Sequence, residues 1–114
     1  MLHACGDCGV RLDHLKDYPV DAVNWSDQSI KNPSLKEAAS VLTQLPVGGI
    51  DHKSDMKGID RDAIKARLTK RVRDALEATG GRVILAGGCV FDVADTYRFG
   101  LWREVLDEAE AGAL

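Results

Sequence analysis

The sequence predicts an α/β fold of four consecutive βα units around a parallel sheet. Four short apolar runs, Met1 to Cys5, Val20 to Trp25, Pro46 to Ile50 and Arg82 to Gly87, each precede a segment with helix-like spacing of apolar residues. Most of these runs lack a clean polar/apolar alternation, which is how strands buried on both faces of a parallel sheet read. Regular alternation of strand and helix places the helices outside such a sheet. With 114 residues, 45% of them hydrophobic and 29% charged, the chain has room for one domain, residues 1–114, with a modest core.

The elements follow in order. The first strand ends in a Cys5-Gly6-Asp7 turn and leads to the weakest helix, between Asp7 and Tyr18, where Val10, Leu12 and Leu15 are the only apolar anchors before Pro19. After the second strand, Asn32 is the expected N-cap with Pro33 in the first turn, and Leu35, Ala38, Ala39 and Leu42 share one face. The third strand precedes the longest helix, capped by Asp60 and ended by Gly80-Gly81, with Ile64, Leu68, Val72, Ala75 and Leu76 as its buried stripe. Its Lys65, Arg67, Lys70, Arg71 and Arg73 read as a solvated face rather than a phosphate patch. The last helix is expected to start near Asp95 or Thr96 and to bury Trp102, Val105, Leu106 and Ala109.

Composition excludes several classes. A formal net charge of −3 with no basic run argues against a nucleic-acid surface. The longest apolar run, Val83 to Ala86, is far short of the roughly 20 residues of a membrane span. The N-terminus lacks the charged and then apolar stretches of an export signal, and three cysteines make no disulfide framework. A reducing, cytoplasmic location is the expectation. Two architectures accommodate four βα units: an open four-stranded sheet, or half of an eight-stranded TIM (β/α)8 barrel, which takes about 250 residues when whole. The chain begins inside its first strand with nothing to cover that apolar edge, a liability that complete domains blunt. The expectation is therefore a half-barrel.

Ligand sites in parallel α/β folds gather at the carboxyl ends of the strands. Here those ends carry His3 and Cys5, then Asn24 and Trp25, then Asp51 and His52, and finally Cys89, whereas the opposite ends offer Met1, Pro19, Pro46 and Arg82. His3 and Cys5, two apart on a strand, point to one face. Cys89 occupies the matching end of the last strand. One imidazole and two thiolates suit a borderline-soft ion such as zinc, and three protein ligands leave a position open for substrate. A structural site would close with a fourth ligand, and Cys8 or Asp7 is available for that. Plainer readings stand beside these: a buried cysteine is more often a small hydrophobe, Trp25 serves equally well as core, and Asp51 as the cap of a turn. Cys5-Gly6-Asp7-Cys8 is a C-x-x-C, but no strand–helix unit precedes it as in redox dithiol folds. Dinucleotide and phosphate loops, serine-nucleophile elbows and H-E-x-x-H are absent.

These residues resemble a known family. Leu2-His3-Ala4-Cys5-Gly6 is similar to the strand-end H-x-C-G motif of the uroporphyrinogen decarboxylase superfamily. Val20 to Trp25 resembles its next strand, where Asp-Trp or Asn-Trp is usual. Gly48-Gly49-Ile50-Asp51 resembles its Gly-Asn-(apolar)-Asp strand end, with glycine in place of asparagine. Leu85-Ala86-Gly87-Gly88-Cys89 resembles its last strand, followed by a helix start at Asp95-Thr96. The resemblance spans nearly the whole chain and covers the second half of the family's barrel, strands five to eight. It implies that His3, Cys5 and Cys89 ligate zinc, as in the branch that moves methyl groups from corrinoid proteins to thiols. Trp25 and Asp51 would then orient the acceptor. True decarboxylases usually carry Gly-His-Gly where this chain has Gly88-Cys89-Val90, which favours the zinc branch. Two alternatives accompany that reading. One is decarboxylation of a tetrapyrrole, uroporphyrinogen, in porphyrin biosynthesis. The other is an inactive half-barrel that needs a second half-barrel or a second copy of itself.

Overall fold

The computed structural model describes all 114 residues. Strands β1 (Leu2–Ala4), β2 (Ala22–Trp25), β3 (Leu45–Ile50) and β4 (Ile84–Gly87) form one sheet in the order β1-β2-β3-β4, every neighbouring pair parallel. Helices α1 (Leu12–Leu15), α2 (Leu35–Val41), α3 (Arg61–Thr79) and α4 (Phe99–Glu110) alternate with them. A four-stranded parallel α/β arrangement is therefore present, as the alternation predicts. No helix is long and apolar enough to cross a membrane.

The pleat sorts the side chains. Ala4, Val23, Trp25 and Leu85 pack with Leu12, Leu35, Ala38, Leu42 and Ala75 on the helical side. A second cluster joins Ile50 and Met56 to Ile64, Leu68 and Val72 of α3 and Leu101 and Val105 of α4. The other face carries the paired row His3–Asn24–Val47–Ile84, since partners in a parallel ladder project to one side.

The longest helix forms as its sequence dictates. The Asp60 carboxylate accepts from the amides of Asp62 and Ala63, and Gly80 ends α3 in a left-handed conformation with φ +61°. Its basic side is solvated at Arg67, Lys70 and Arg73, while Lys65 and Arg71 are half-buried. Arg67 donates to the carbonyls of Ser54, Asp55 and Lys57. Lys65 pairs with Glu104 and Glu108. Arg71 bridges the buried Asp55, at 2.8 Å, and Gln28.

Two helix starts differ from expectation. Ser34, not Asn32, caps α2 by accepting from the Glu37 amide, a capping box legible as Ser-x-x-Glu. Asn32 is buried and holds two loops together. Its amide donates to the Gly6 and Ser26 carbonyls and its oxygen accepts from the Gly9 and Val10 amides. After β4, Asp92 caps a 3-10 helix over Val93–Arg98 that runs into α4, while Asp95 is buried and paired with Lys57 at 2.7 Å. The first helix is a single turn starting at Leu12, in keeping with its few apolar anchors.

Strands spaced about 4.8 Å apart would separate β1 from β4 by about 14 Å in a flat sheet. The sulfurs of Cys5 and Cys89, just beyond those two strands, are only 4.0 Å apart, so the sheet curls and the loop after β4 folds inward. Gly88 makes this possible. A Cβ there would lie 2.5 Å from the Ser26 Cα and 3.0 Å from the Trp25 carbonyl oxygen. Gly88→Ala should therefore lower the unfolding free energy by about 1–3 kcal/mol, the usual cost of overpacking. Urea denaturation checks it: the midpoint falls with an unchanged slope.

Candidate metal centre

His3 lies in β1, Cys5 follows that strand directly, and Cys89 follows β4 and Gly88. The curl brings one ring nitrogen of His3 and the two Sγ atoms within 4.8 Å of one another. Neither Asp7 nor Cys8 belongs to this group. Asp7 is instead paired with Lys53, whose ammonium holds the Asp7 carboxyl below its usual range. The Cys5 thiol is held above its ordinary value, first by its hydrogen bond with Cys89 and then by the repulsion of that neighbouring sulfur. Two crowded thiols resist joint ionisation, and a bound cation would relieve that repulsion. Imidazole and thiolate together suit a borderline-soft metal. The three side chains can hold a metal ion.

Asn24 sets the state of His3. It is buried in β2, and its amide nitrogen donates to the Val47 carbonyl at 2.8 Å and to the Gly87 carbonyl at 3.1 Å. Both of its N–H groups are used, so the side chain cannot be flipped without facing oxygen to oxygen. Its Oδ1 therefore faces His3 Nδ1, 2.6 Å away. Since that oxygen only accepts, Nδ1 carries the proton, and Nε2 of the neutral ring keeps a free lone pair. Metal-bound histidines are oriented in this way by donating their other N–H to an oxygen. Sequence reading placed Asn24 at a strand end without a role. The available signal was a lone amide inside an apolar run, which must find partners.

A polar cleft of about 90 Å³ is lined by Asp7, Ser26, Gln28, Ser29, Ile50, Asp51, His52 and Lys53. Asp51 lines it, but its carboxylate also organises its own turn, accepting from the Lys53 amide at 2.9 Å and the Ser54 hydroxyl at 2.8 Å. Lys53, unremarked in the sequence, is held in its charged form first by Asp7, with the Cys89 sulfur a lesser contributor. Behind the cleft, burial pushes the Asp27 carboxyl above its ordinary value, although it accepts from the Gly49 amide and from Gln28.

Trp25 does not face the strand-end mouth. It is 0% exposed in the helical-side core, and its indole N–H donates to the Pro33 carbonyl at 2.8 Å. Its apolar ring fills space between sheet and helices, so the core reading holds for it rather than the acceptor-contact one. Cys5 and Cys8 are not joined by a helix start, because residues 5–11 form a bend and loop before α1.

Comparison of the chain with protein-family models, with curated proteins and with solved structures finds no match in any of the three.

The state of His3 is directly measurable. In the metal-free protein, ¹⁵N–¹H correlation spectra of the neutral imidazole should show the Nδ1–H tautomer. Asn24→Leu should remove that preference. It should also lower stability by about 1–3 kcal/mol, the cost of leaving the Val47 or Gly87 carbonyl unpaired. An Nε2–H ring in the unsubstituted protein would contradict the assignment.

Proposed function

We propose that His3, Cys5 and Cys89 hold a zinc ion and that the chain activates a thiol there for methyl transfer from a corrinoid. The observation that carries this reading is the donor set itself. Imidazole and two thiols from the two outer strands of the sheet meet within 4.8 Å, and no fourth protein donor joins them. A three-ligand set leaves a coordination position for substrate. The H-x-C-G and Gly-Gly-Cys strand ends that resemble the zinc branch of the uroporphyrinogen decarboxylase superfamily supply the reaction type.

When bound, such an ion lowers the pKa of an incoming thiol so that it is held as thiolate at neutral pH. The chain's own residues do the rest. Asn24 leaves Nε2 of His3 free, and Cys5 and Cys89 give up their protons, so affinity rises with pH. Ser26, Gln28 and Ser29, with Asp51 beside them, offer hydroxyl, amide and carboxylate groups to the polar part of the acceptor. Three cysteines with no disulfide framework suit a reducing, cytoplasmic setting.

The same reading makes the sheet half of a (β/α)8 barrel. Its supports are the sequential parallel order, the curl, and the free edges of β1 and β4. An apolar groove of about 400 Å³ beside β4, lined by Leu76, Val83, Leu85, Leu106 and Ala109, adds to them. A second half-barrel, a further copy included, would pair with those edges.

Four measurements test these statements. Reduced protein equilibrated with zinc and then desalted should retain about one ion per chain by elemental analysis. Cys89→Ser should abolish that retention and the intense sulfur-to-metal absorption of a cobalt(II) replacement. Retention of no zinc by the reduced protein would overturn the metal assignment, and unchanged methylcobalamin in the presence of thiol would overturn methyl transfer. Light scattering on the 114-residue chain should report an assembly larger than one copy, and a stable monomer would count against the need for a second half.

A further inference from the structure

Cys5 and Cys89 have a second chemistry that needs no metal. Their sulfurs lie 4.0 Å apart, and both side chains carry free thiols, Cys5 exposed and Cys89 half-buried. A disulfide spans about 2.05 Å, so the sulfurs need to approach by about 2 Å. Gly88, seated against Ser26, holds the loop that carries Cys89. Cys8, the sequence neighbour in the C-x-x-C, lies outside the His3–Cys5–Cys89 group.

We propose that Cys5 and Cys89 form a reversible disulfide with low-molecular-weight disulfides as the oxidant, and that this bond excludes a metal from the site. The site shares residues with the proposed metal centre but rests on the sulfur–sulfur contact alone. The exposed Cys5 thiolate attacks one sulfur of the oxidant, breaking its S–S bond. The first small thiol departs with the electron pair and takes up a proton. The Cys89 thiolate then attacks Cys5 Sγ, closes the internal bond and expels the second small thiol, which is protonated in turn. The protein loses two protons and two electrons, and the oxidant gains both as two thiols. A metal on the same sulfurs ties up both nucleophiles, and the oxidised pair has no thiolate to offer a metal.

The test uses the metal-free, reduced chain in buffers of oxidised and reduced glutathione. Free thiols should fall from the three present to one. The intact mass should drop by two hydrogens, and a disulfide should link the tryptic peptides 1–11 and 83–98. Cys8→Ser should give the same link, and Cys5→Ser should abolish it. Saturating zinc should slow the reaction about tenfold or more. A main product linking Cys5 to Cys8, or a glutathione adduct on Cys5 that never closes, would overturn the proposal. So would a link to Cys89 that survives in Cys5→Ser. Zinc uptake by the reduced chain is measured separately. A chain that takes up no zinc but cross-links would refute the metal reading and leave this one standing, and the reverse pair of results would do the opposite.

Discussion

The seat of Gly88 on the backbone of Ser26 is the contact on which the strand-end mouth depends. A parallel sheet of four strands has no intrinsic reason to bring its first and last members together. Here the missing side chain at Gly88 lets the loop after β4 lie against the loop after β2. The Gly88 amide continues the ladder by donating to the Ile50 carbonyl, and the Ser26 hydroxyl meets the Gly88 carbonyl. Cys89 inherits its position from that contact. The 4.0 Å approach of its sulfur to that of Cys5 follows from where this backbone lies.

Two buried amides translate the packing into chemistry. Asn24 spans three strands, reading His3 on one side and fixing itself to Val47 and Gly87 on the other. Asn32 ties the loop after β1 to the loop after β2 with three hydrogen bonds and closes its own loop on the Ser26 carbonyl with a fourth. No buried side-chain nitrogen or oxygen lacks a partner, so these amides are not left paying an unmet desolvation cost. Fully satisfied polar groups of this kind specify one arrangement, because each displaced alternative would strand several of them at once.

Much of this was legible in the sequence for local reasons. The Asp60 cap, the stripe at Ile64, Leu68, Val72 and Ala75, and the Gly80 stop depend on residues within a few positions of one another, and they stand as read. The grouping of His3 with Cys5 follows from the two-residue pleat, and Cys89 was placed beside them because strand ends line up. What the sequence could not convey was non-local. Asn32 and Asp95 carry residue types that favour caps, yet each satisfies partners far along the chain. Trp25 and Asn24 are neighbours on one strand with opposite facings. The ring went to the core and the amide to the site, which only the direction of the helical layer decides.

Arg71 has a consequence that reaches beyond its own helix. Its guanidinium is shared between Gln28, in the loop after β2, and Asp55, in the loop after β3, and that same Asp55 carboxylate accepts the Asp51 amide. Two walls of the polar cleft are thereby tied to one cation on α3. The loops after β2 and β3 are therefore held in register by a single side chain, Arg71.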